Sequence, residues 1–238
     1  MIEAVEFRNV VLKNGLKISD DQVTKLLLYS NLLLEWNQKI NLISRRDQEN
    51  IIEQHILASI SPLFKFEFER GASILDLGTG GGLPGIPLAI LCPENKFTLL
   101  DSIQKKIKAL TEMMKELNLS NVTATARRAE ELSGLPNNKG VFGYVTSRAT
   151  ASVSEIIKWG RPFLGPHADN ISAPALERQR RPKIPAGALV LYKGGDISGE
   201  IEDAKRNEKP AGITIHDLTI DGINESHFHD KKLVIIYP

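Results

Sequence analysis

The run Ile74-Leu-Asp76-Leu-Gly78-Thr-Gly80-Gly81-Gly82-Leu83-Pro84-Gly85-Ile-Pro87 carries more of the fold than any other stretch of the chain. Residues 73–77 are short and apolar and run straight into glycines, which reads as a buried parallel strand ending in a tight turn. Glycines let the backbone come close to a ligand, and the N–H groups that open the following helix lack intrahelical partners. Strand, glycine loop and helix together predict a cofactor platform at the carboxyl edge of an α/β sheet.

Toward the C-terminus the signals alternate: strands at 96–100, 122–126, 141–147 and 188–192, and helices at 103–117 and 152–159. Alternation of this kind predicts an α/β protein, with a mostly parallel, doubly wound sheet and helices on both faces. Two later strands, 213–220 and 233–237, with a polar connection between them, predict an antiparallel hairpin closing one edge of the sheet. The interval 165–187 sets Pro166, Pro174, Pro182 and Pro185 among Arg178, Arg180, Arg181 and Lys183 and reads as a mobile basic loop.

Toward the N-terminus, Val23, Leu26, Leu27, Leu33 and Leu34 recur at helical spacing over 20–37, with Asp20 or Asp21 as N-cap. A second helix over 48–60 should stop before Pro62. The two predict a small helical extension, 1–70, ahead of the α/β domain, 71–238.

The bulk numbers suit this architecture. At 238 residues, 42% hydrophobic and 25% charged, the chain is long enough for one large core and ordinary for a globular protein. Charges interleaved through residues 1–20 exclude the apolar core of a signal peptide, and the apolar stretch 26–36 is too short to span a bilayer, so no membrane association is expected. The lone Cys92 excludes an intramolecular disulfide and a cysteine-based zinc site, which fits a cytoplasmic location. A net charge of +1 neither favours nor excludes a nucleic-acid partner.

Gly80, Gly82 and Gly85 also satisfy the G-x-G-x-x-G spacing of a dinucleotide site, a match too short to decide by itself. Two features favour S-adenosylmethionine. Asp76 at the strand tip would attract a cationic amino-acid or sulfonium group and repel a pyrophosphate, and Pro84 and Pro87 distort a pyrophosphate-type helix entry. Asp101, closing the next strand, would accept hydrogen bonds from ribose hydroxyls in either cofactor class. A bare reading of these residues as a tight turn and a helix cap stands beside both. A Walker-type loop is excluded by the missing Gly-Lys-Ser/Thr.

Tyr29-x-x-Leu32-Leu33-x-x-Trp36-Asn37-x-x-x-Asn41-Leu42, then His55, then the glycine run, form an ordered series of motifs. It continues through Leu100-Asp101-Ser102, Arg128-Ala129-Glu130-Glu131, Ser147-Arg148-Ala149 and Lys193-Gly194. This series resembles the guanine-N7 methyltransferases of small-subunit ribosomal RNA, once called glucose-inhibited division protein B. The resemblance runs from about Tyr29 to the C-terminus, and the Leu83-Pro84-Gly85-Ile86-Pro87 ending is its most specific element. It implies a class I (Rossmann-like) methyltransferase fold with an N-terminal helical extension. It also implies S-adenosyl-L-methionine as cofactor and a target guanine in the decoding-region loop of 16S ribosomal RNA. Two departures stand out. Members commonly carry an aspartate shortly after the histidine, where this chain has Ala58, and the 165–187 loop is longer than the short turn expected there.

Guanine N7 has a lone pair and no proton, so attack on a sulfonium methyl needs orientation and no general base. No Asn/Asp-Pro-Pro-Tyr/Phe motif of amino-group methylation is present, and Cys92 reads as a small buried apolar residue rather than a nucleophile. The expected cofactor contacts are Asp76, Gly78, Gly80, Gly82, Leu83, Asp101, Ser102, Ala129, Glu130 and Arg148. Arg148, Lys193 and Arg128 fall at the carboxyl edge and suit RNA positioning, by phosphate contact or, for Arg148, by stacking on the base; surface ion pairs are the bland alternative. Asn37 and Asn41 suit RNA contact or helix capping equally, and His55 suits RNA contact or an ordinary half-exposed helical position. No metal is expected, because His227-Phe-His229-Asp230 has no remote ligand set. The expected partner is 16S ribosomal RNA or the small ribosomal subunit, met by a monomeric chain. A dinucleotide-dependent oxidoreductase and a non-catalytic RNA-binding protein with a methyltransferase fold are the rivals.

Overall fold

The structure, a computed structural model, describes residues 3–44, 47–148, 150–165, 181–223, 228 and 230–238. Among the described residues seven strands form one sheet, in the order β3-β2-β1-β4-β5-β7-β6. They are β1 Ser73–Leu77, β2 Lys96–Asp101, β3 Val122–Ala126, β4 Tyr144–Arg148, β5 Ala188–Gly194, β6 Gly212–Asp217 and β7 Lys231–Tyr237. β1 to β5 pair in parallel, and β7 lies antiparallel to both β5 and β6. The strand order reverses between β1 and β4. Open α/β sheets bind ligands at such a reversal, because the flanking loops diverge there and leave a crevice.

The tail strands do close the sheet edge, but the second of them lies inside the first. β7 is buried from Leu233 to Ile236 and sits between two neighbours, whereas β6 keeps Thr214 and Ile215 exposed and takes the edge. An uninterrupted apolar run favours a position covered on both faces. β4 begins at Tyr144, not at 141, because Val141 is half exposed and Phe142 makes only an isolated bridge to Leu164.

Side chains alternate across the sheet, and each face has its own core. Ile74, Phe97, Leu99, Tyr144 and Val190 face α1 (Ala4–Lys13), α2 (Asp20–Asn37), α3 (Ala58–Ile60), α5 (Gly85–Leu91) and α6 (Gln104–Glu116). Leu75, Leu77, Leu100, Val145 and Leu189 face α7 (Ala129–Ser133), α8 (Val153–Gly160) and α9 (Ser198–Asn207). Burying each such side chain contributes about 1.5–3 kcal/mol. The N-terminal helices share one continuous apolar cluster with the first face, through Phe7, Val11, Leu26 and Leu33.

Helix ends follow their local chemistry. α2 is capped by Ser19, whose hydroxyl accepts from the Gln22 N–H while the Gln22 side chain accepts from the Ser19 N–H. This reciprocal box places the cap one residue before the expected Asp20. Ser152 and Glu155 form the same box on α8. The helix expected over 48–60 is instead π-helical from Ile52 to Leu57 before continuing as α3; α4 (Pro62–Lys65) then opens with Pro62. Single π turns inside helices recur at functional sites, and this one carries His55.

Of the basic loop, Arg178 and Arg180 lie outside the described residues. Arg181 pairs with Glu67 at 3.3 Å, and Lys183 bridges to Glu67 through the backbone. Both precede β5 and so sit at the amino edge, far from the crevice. His227 and His229 also lie outside the described residues, among which no cluster of three potential metal ligands occurs. No described helix is long and apolar enough to cross a membrane.

Candidate active site

A cleft of about 530 Å³ opens at the carboxyl edge over β1 and β2. One wall is the glycine loop, Gly78 to Gly81 with Leu83, joined by Asp101, Ser102 and Lys106; the other is Leu42, Ile43, Ser44, Asp47, His55 and Arg148. A smaller hollow of about 200 Å³ shares Gly78, Asp101, Ser102 and Thr150 with it and adds Arg128, Ala129, Glu130 and Trp159. Together they make a two-lobed groove bent around the tip of β2.

The glycine loop is held from beneath. Asp76 is fully buried, and it accepts hydrogen bonds from Thr79 Oγ1 (2.6 Å), the Gly85 N–H (3.0 Å) and Thr146 Oγ1 (3.1 Å). It therefore lines neither lobe, and the direct contact with a cationic ligand expected from the sequence is not what the geometry provides. Its carboxylate ties β1, the glycine turn and the start of α5 together. Gly85 must be glycine because a Cβ there would come within 2.7 Å of Asp76 Oδ2 and 2.3 Å of Leu99 Cδ2. Gly78 combines φ +72° with Thr150 overhead, whose Oγ1 would lie 2.5 Å from an added Cβ. Gly82 is buried against Ile86 and Leu110 and turns the loop from behind the wall. Tyr29 completes the support, donating from its hydroxyl to the Gly81 carbonyl at 2.7 Å.

Asp101 stands at the junction of the lobes. Oδ2 accepts from the Gly80 N–H (3.0 Å) and Oδ1 from the Ile103 N–H (2.9 Å), with Lys106 Nζ 3.7 Å away. It caps the turn into α6 and still faces both hollows, so the capping and ligand-binding readings coexist in one residue. Ala129 is buried and Glu130 exposed at the first turn of α7, where the backbone borders the smaller lobe. Arg128 is exposed beside it.

On the opposite wall the structure changes the role of Arg148. Nη1 donates to the His55 carbonyl (3.2 Å) and Ser59 Oγ (3.1 Å), and Nη2 donates to the Gln54 carbonyl (3.0 Å) and His55 Nδ1. All four terminal N–H groups are taken by the π-helical segment and the turn after it, so none is left for the bidentate phosphate grip expected from the sequence. Arg148 instead locks β4 to that segment. A guanidinium is always a donor, so His55 Nδ1 must accept and the ring proton must sit on Nε2. Nε2 is buried, 3.5 Å from Asp47 Oδ2, with no well-aligned partner among the described residues.

Burial and the neighbouring cations Arg148 and Lys231 hold the His55 pKa down to about 3. Burial likewise pushes Asp76 up to about 6 against the pull of its hydrogen bonds, and Cys92 up to about 12, which leaves that thiol inert at neutral pH.

Lys193 and Asn37 take the ion-pairing and capping roles that stand beside RNA contact in the sequence reading. Lys193 Nζ donates to the Ala151 carbonyl (2.6 Å) and pairs with Glu200 (2.7 Å), tying β5 to α9. Asn37 is buried, and its Oδ1 accepts from the N–H groups of Leu42 (2.7 Å) and Ile43 (3.0 Å), which shapes the turn that carries those residues into the cleft. Asn41 is exposed at that turn.

The two perturbed buried groups give opposite pH dependences. Asp76 has a folded pKa above its ordinary 3.8, so the stability it contributes is present below 3.8 and is lost as pH rises through about 6. His55 has a folded pKa below its ordinary 6.5, so its contribution is present above 6.5 and is lost as pH falls toward about 3. Asp76→Asn keeps an oxygen for Thr79 and Gly85 and an amide donor for Thr146. Its stability relative to the parent should therefore rise by about 2–3 kcal/mol between about pH 4 and pH 7. Urea titrations at the two pH values measure this; a constant difference would mean that Asp76 is ionised throughout.

Parallel sheet, order reversal, glycine turn and acidic β2 tip define a class I methyltransferase fold. In agreement, the chain resembles a SAM-dependent methyltransferase from Aquifex aeolicus (TM-score 0.51, 14% identity, covering 82% of this chain and 96% of that one). It also resembles M. jannaschii TYW2, solved in complex with AdoMet (TM-score 0.50, 11% identity, 84% and 77% covered). The family model for rRNA small subunit methyltransferase G (GidB) matches residues 22–171. Proteins named ribosomal RNA small subunit methyltransferase G are 37% identical in Bacteroides fragilis (95% of this chain, 98% of the relative) and 37% in Flavobacterium johnsoniae (96% of each). The chain belongs to the rRNA small subunit methyltransferase G family.

Proposed function

We propose that this protein transfers a methyl group from S-adenosylmethionine to N7 of a guanine in 16S ribosomal RNA. The observation that carries the reading is a single cleft, at the reversal point of the sheet, with a glycine loop and Asp101 on one wall and a separate helix-borne wall opposite. One side suits a nucleoside cofactor and the other suits an acceptor base. Gly78, Gly80, Leu83, Asp101 and Ser102 would hold the cofactor in the main lobe, and Ala129 and Glu130 would border its adenine. Bound there, S-adenosylmethionine supplies an activated methyl group. Asp101 has lone pairs left for ribose hydroxyls after serving Gly80 and Ile103.

Guanine N7 has no proton to lose, and the acceptor wall matches that demand, because His55 is neutral with its free nitrogen protonated and cannot serve as a base. The work of the chain is then to orient the acceptor and exclude water. A monomer acting in the cytoplasm, on naked RNA or an assembling subunit, completes the proposal. Calorimetry with S-adenosylmethionine, S-adenosylhomocysteine and NAD tests the cofactor, and transfer of labelled methyl to small-subunit against large-subunit RNA tests the acceptor. Binding of NAD alone would overturn the first. Cofactor binding without transfer to any ribosomal RNA would leave a non-catalytic RNA-binding protein in place of an enzyme.

A further inference from the structure

We propose that Asp47 recognises the target base, its carboxylate accepting hydrogen bonds from the N1–H and N2–H groups of guanine, with His55 and Arg148 acting as the relay that positions it. The inference rests on the guanine-N7 reading of the cleft and names the residue that reads the base.

The acceptor wall has few polar groups able to do this. The terminal N–H groups of Arg148 are all engaged, and His55 Nδ1 is occupied by that same guanidinium. Asp47 differs from both: it lines the cleft with its side chain 30% exposed, and among the described residues its carboxylate is approached only loosely, by His55 Nε2 at 3.5 Å. An ionised carboxylate is an acceptor with about four lone-pair sites, so most of this capacity faces the cleft. Arg148, donating to His55 Nδ1, fixes the imidazole tautomer with its proton on Nε2, the nitrogen that lies 3.5 Å from the Asp47 carboxylate, so a small movement of Asp47 toward a bound base would complete the chain. His55 stays neutral, so no imidazolium competes with a ligand for the carboxylate.

The chemistry of the acceptor matches. The Watson–Crick edge of guanine presents two adjacent donors, N1–H and N2–H, which suit one carboxylate; adenine presents an unprotonated nitrogen at the first position and no amino group at the second. A carboxylate there attracts guanine and repels adenine's ring nitrogen, giving discrimination by attraction and rejection together. Methylation at N7 also places positive charge on the purine and makes N1–H a stronger donor. The same contact is therefore tighter in the transition state than in the ground state, which is the condition for accelerating the reaction.

The test compares wild type, Asp47→Asn and Asp47→Ala in single-turnover methylation of small-subunit RNA carrying guanine or inosine at the target position. Inosine keeps N7, O6 and N1–H but lacks the 2-amino group. Wild type should prefer guanine over inosine by about tenfold or more. Asp47→Asn, whose amide turns a donor toward guanine's donors, should lose about 10- to 100-fold in the rate constant on guanine, with that preference collapsing toward one. The S-adenosylhomocysteine dissociation constant should stay unchanged in all three, which separates base reading from damage to the fold. Equal losses on guanine and inosine with the preference intact, or an unchanged rate on guanine, would overturn the role of Asp47. Absence of transfer by the wild-type protein to either RNA would instead overturn the methyltransferase reading beneath it.

Discussion

Replacing Arg148 by Lys should slow single-turnover methyl transfer by about 100-fold or more while leaving S-adenosylmethionine affinity within about threefold. The guanidinium satisfies two backbone carbonyls, the Ser59 hydroxyl and His55 Nδ1 at once, all on the acceptor wall. A lysine ammonium has three protons and no planar fork, so it cannot serve these four acceptors, and at least one is left buried without a donor. The His55 ring then loses the partner that sets its tautomer, and the acceptor wall loses its register with β4. Because orientation of N7 is the main term the protein supplies, an error of about 1 Å there is costly. Arg148→Ala should show the same pattern with a larger loss of thermal stability. Cofactor dissociation constants and single-turnover rates measured in parallel decide the matter: if affinity falls as far as rate, Arg148 belongs to the cofactor side of the cleft.

For Asp101→Ala the expected effect is on affinity. Loss of the carboxylate should weaken S-adenosylmethionine binding by about 5- to 150-fold, equivalent to about 1–3 kcal/mol, if buried ribose hydroxyls are left unpaired. S-adenosylhomocysteine should weaken by the same factor, because the ribose is common to both and the sulfonium is not. Part of the loss will be indirect, since Asp101 also accepts from the Gly80 N–H and so steadies the glycine turn. A drop confined to S-adenosylmethionine would show that the carboxylate senses the positive sulfur and not the sugar.

How much of this was legible in the sequence differs between scaffold and site. Strands β1 to β3 carry short apolar runs between turn signals, and their expected limits differ from the observed ones by at most one residue. α1 and α9 have no helical signature in the sequence reading; in α9 only Ile201 and Ala204 are buried, too few to impose a visible period. The order of β6 and β7 was hidden because a hairpin has the same local signature whichever strand takes the edge.

In the site, the glycine turn and Asp101 stand where the motif placed them. Asp76 reads as outward-facing, and Lys193 and Asn37 stay open between outward and structural roles, because residue type gives charge and donor capacity without saying which neighbour uses them up. Their partners Thr146, Glu200 and Leu42 lie on other elements or beyond the helix end, and only the fold brings them together. Arg148 shows the same effect: its position at the strand end was right, and its donors turned inward to the π-helical segment. Asp47 carries no signal in the sequence, since an aspartate in a polar turn has an ordinary solvated reading until a neutral histidine and an open cleft stand beside it.

The most direct test of the central claim is chemical identification of the product. Small-subunit RNA from cells lacking this protein would be incubated with the purified chain and S-adenosylmethionine, digested to nucleosides and analysed by mass spectrometry against authentic standards. The account predicts one new modified nucleoside, 7-methylguanosine, confined to a single guanine of the small-subunit RNA and absent from large-subunit RNA treated in the same way. A methyl group on an exocyclic amine, on a ribose hydroxyl or on a pyrimidine carbon would contradict it, because none of those acceptors is the proton-free ring nitrogen that transfer by orientation alone requires.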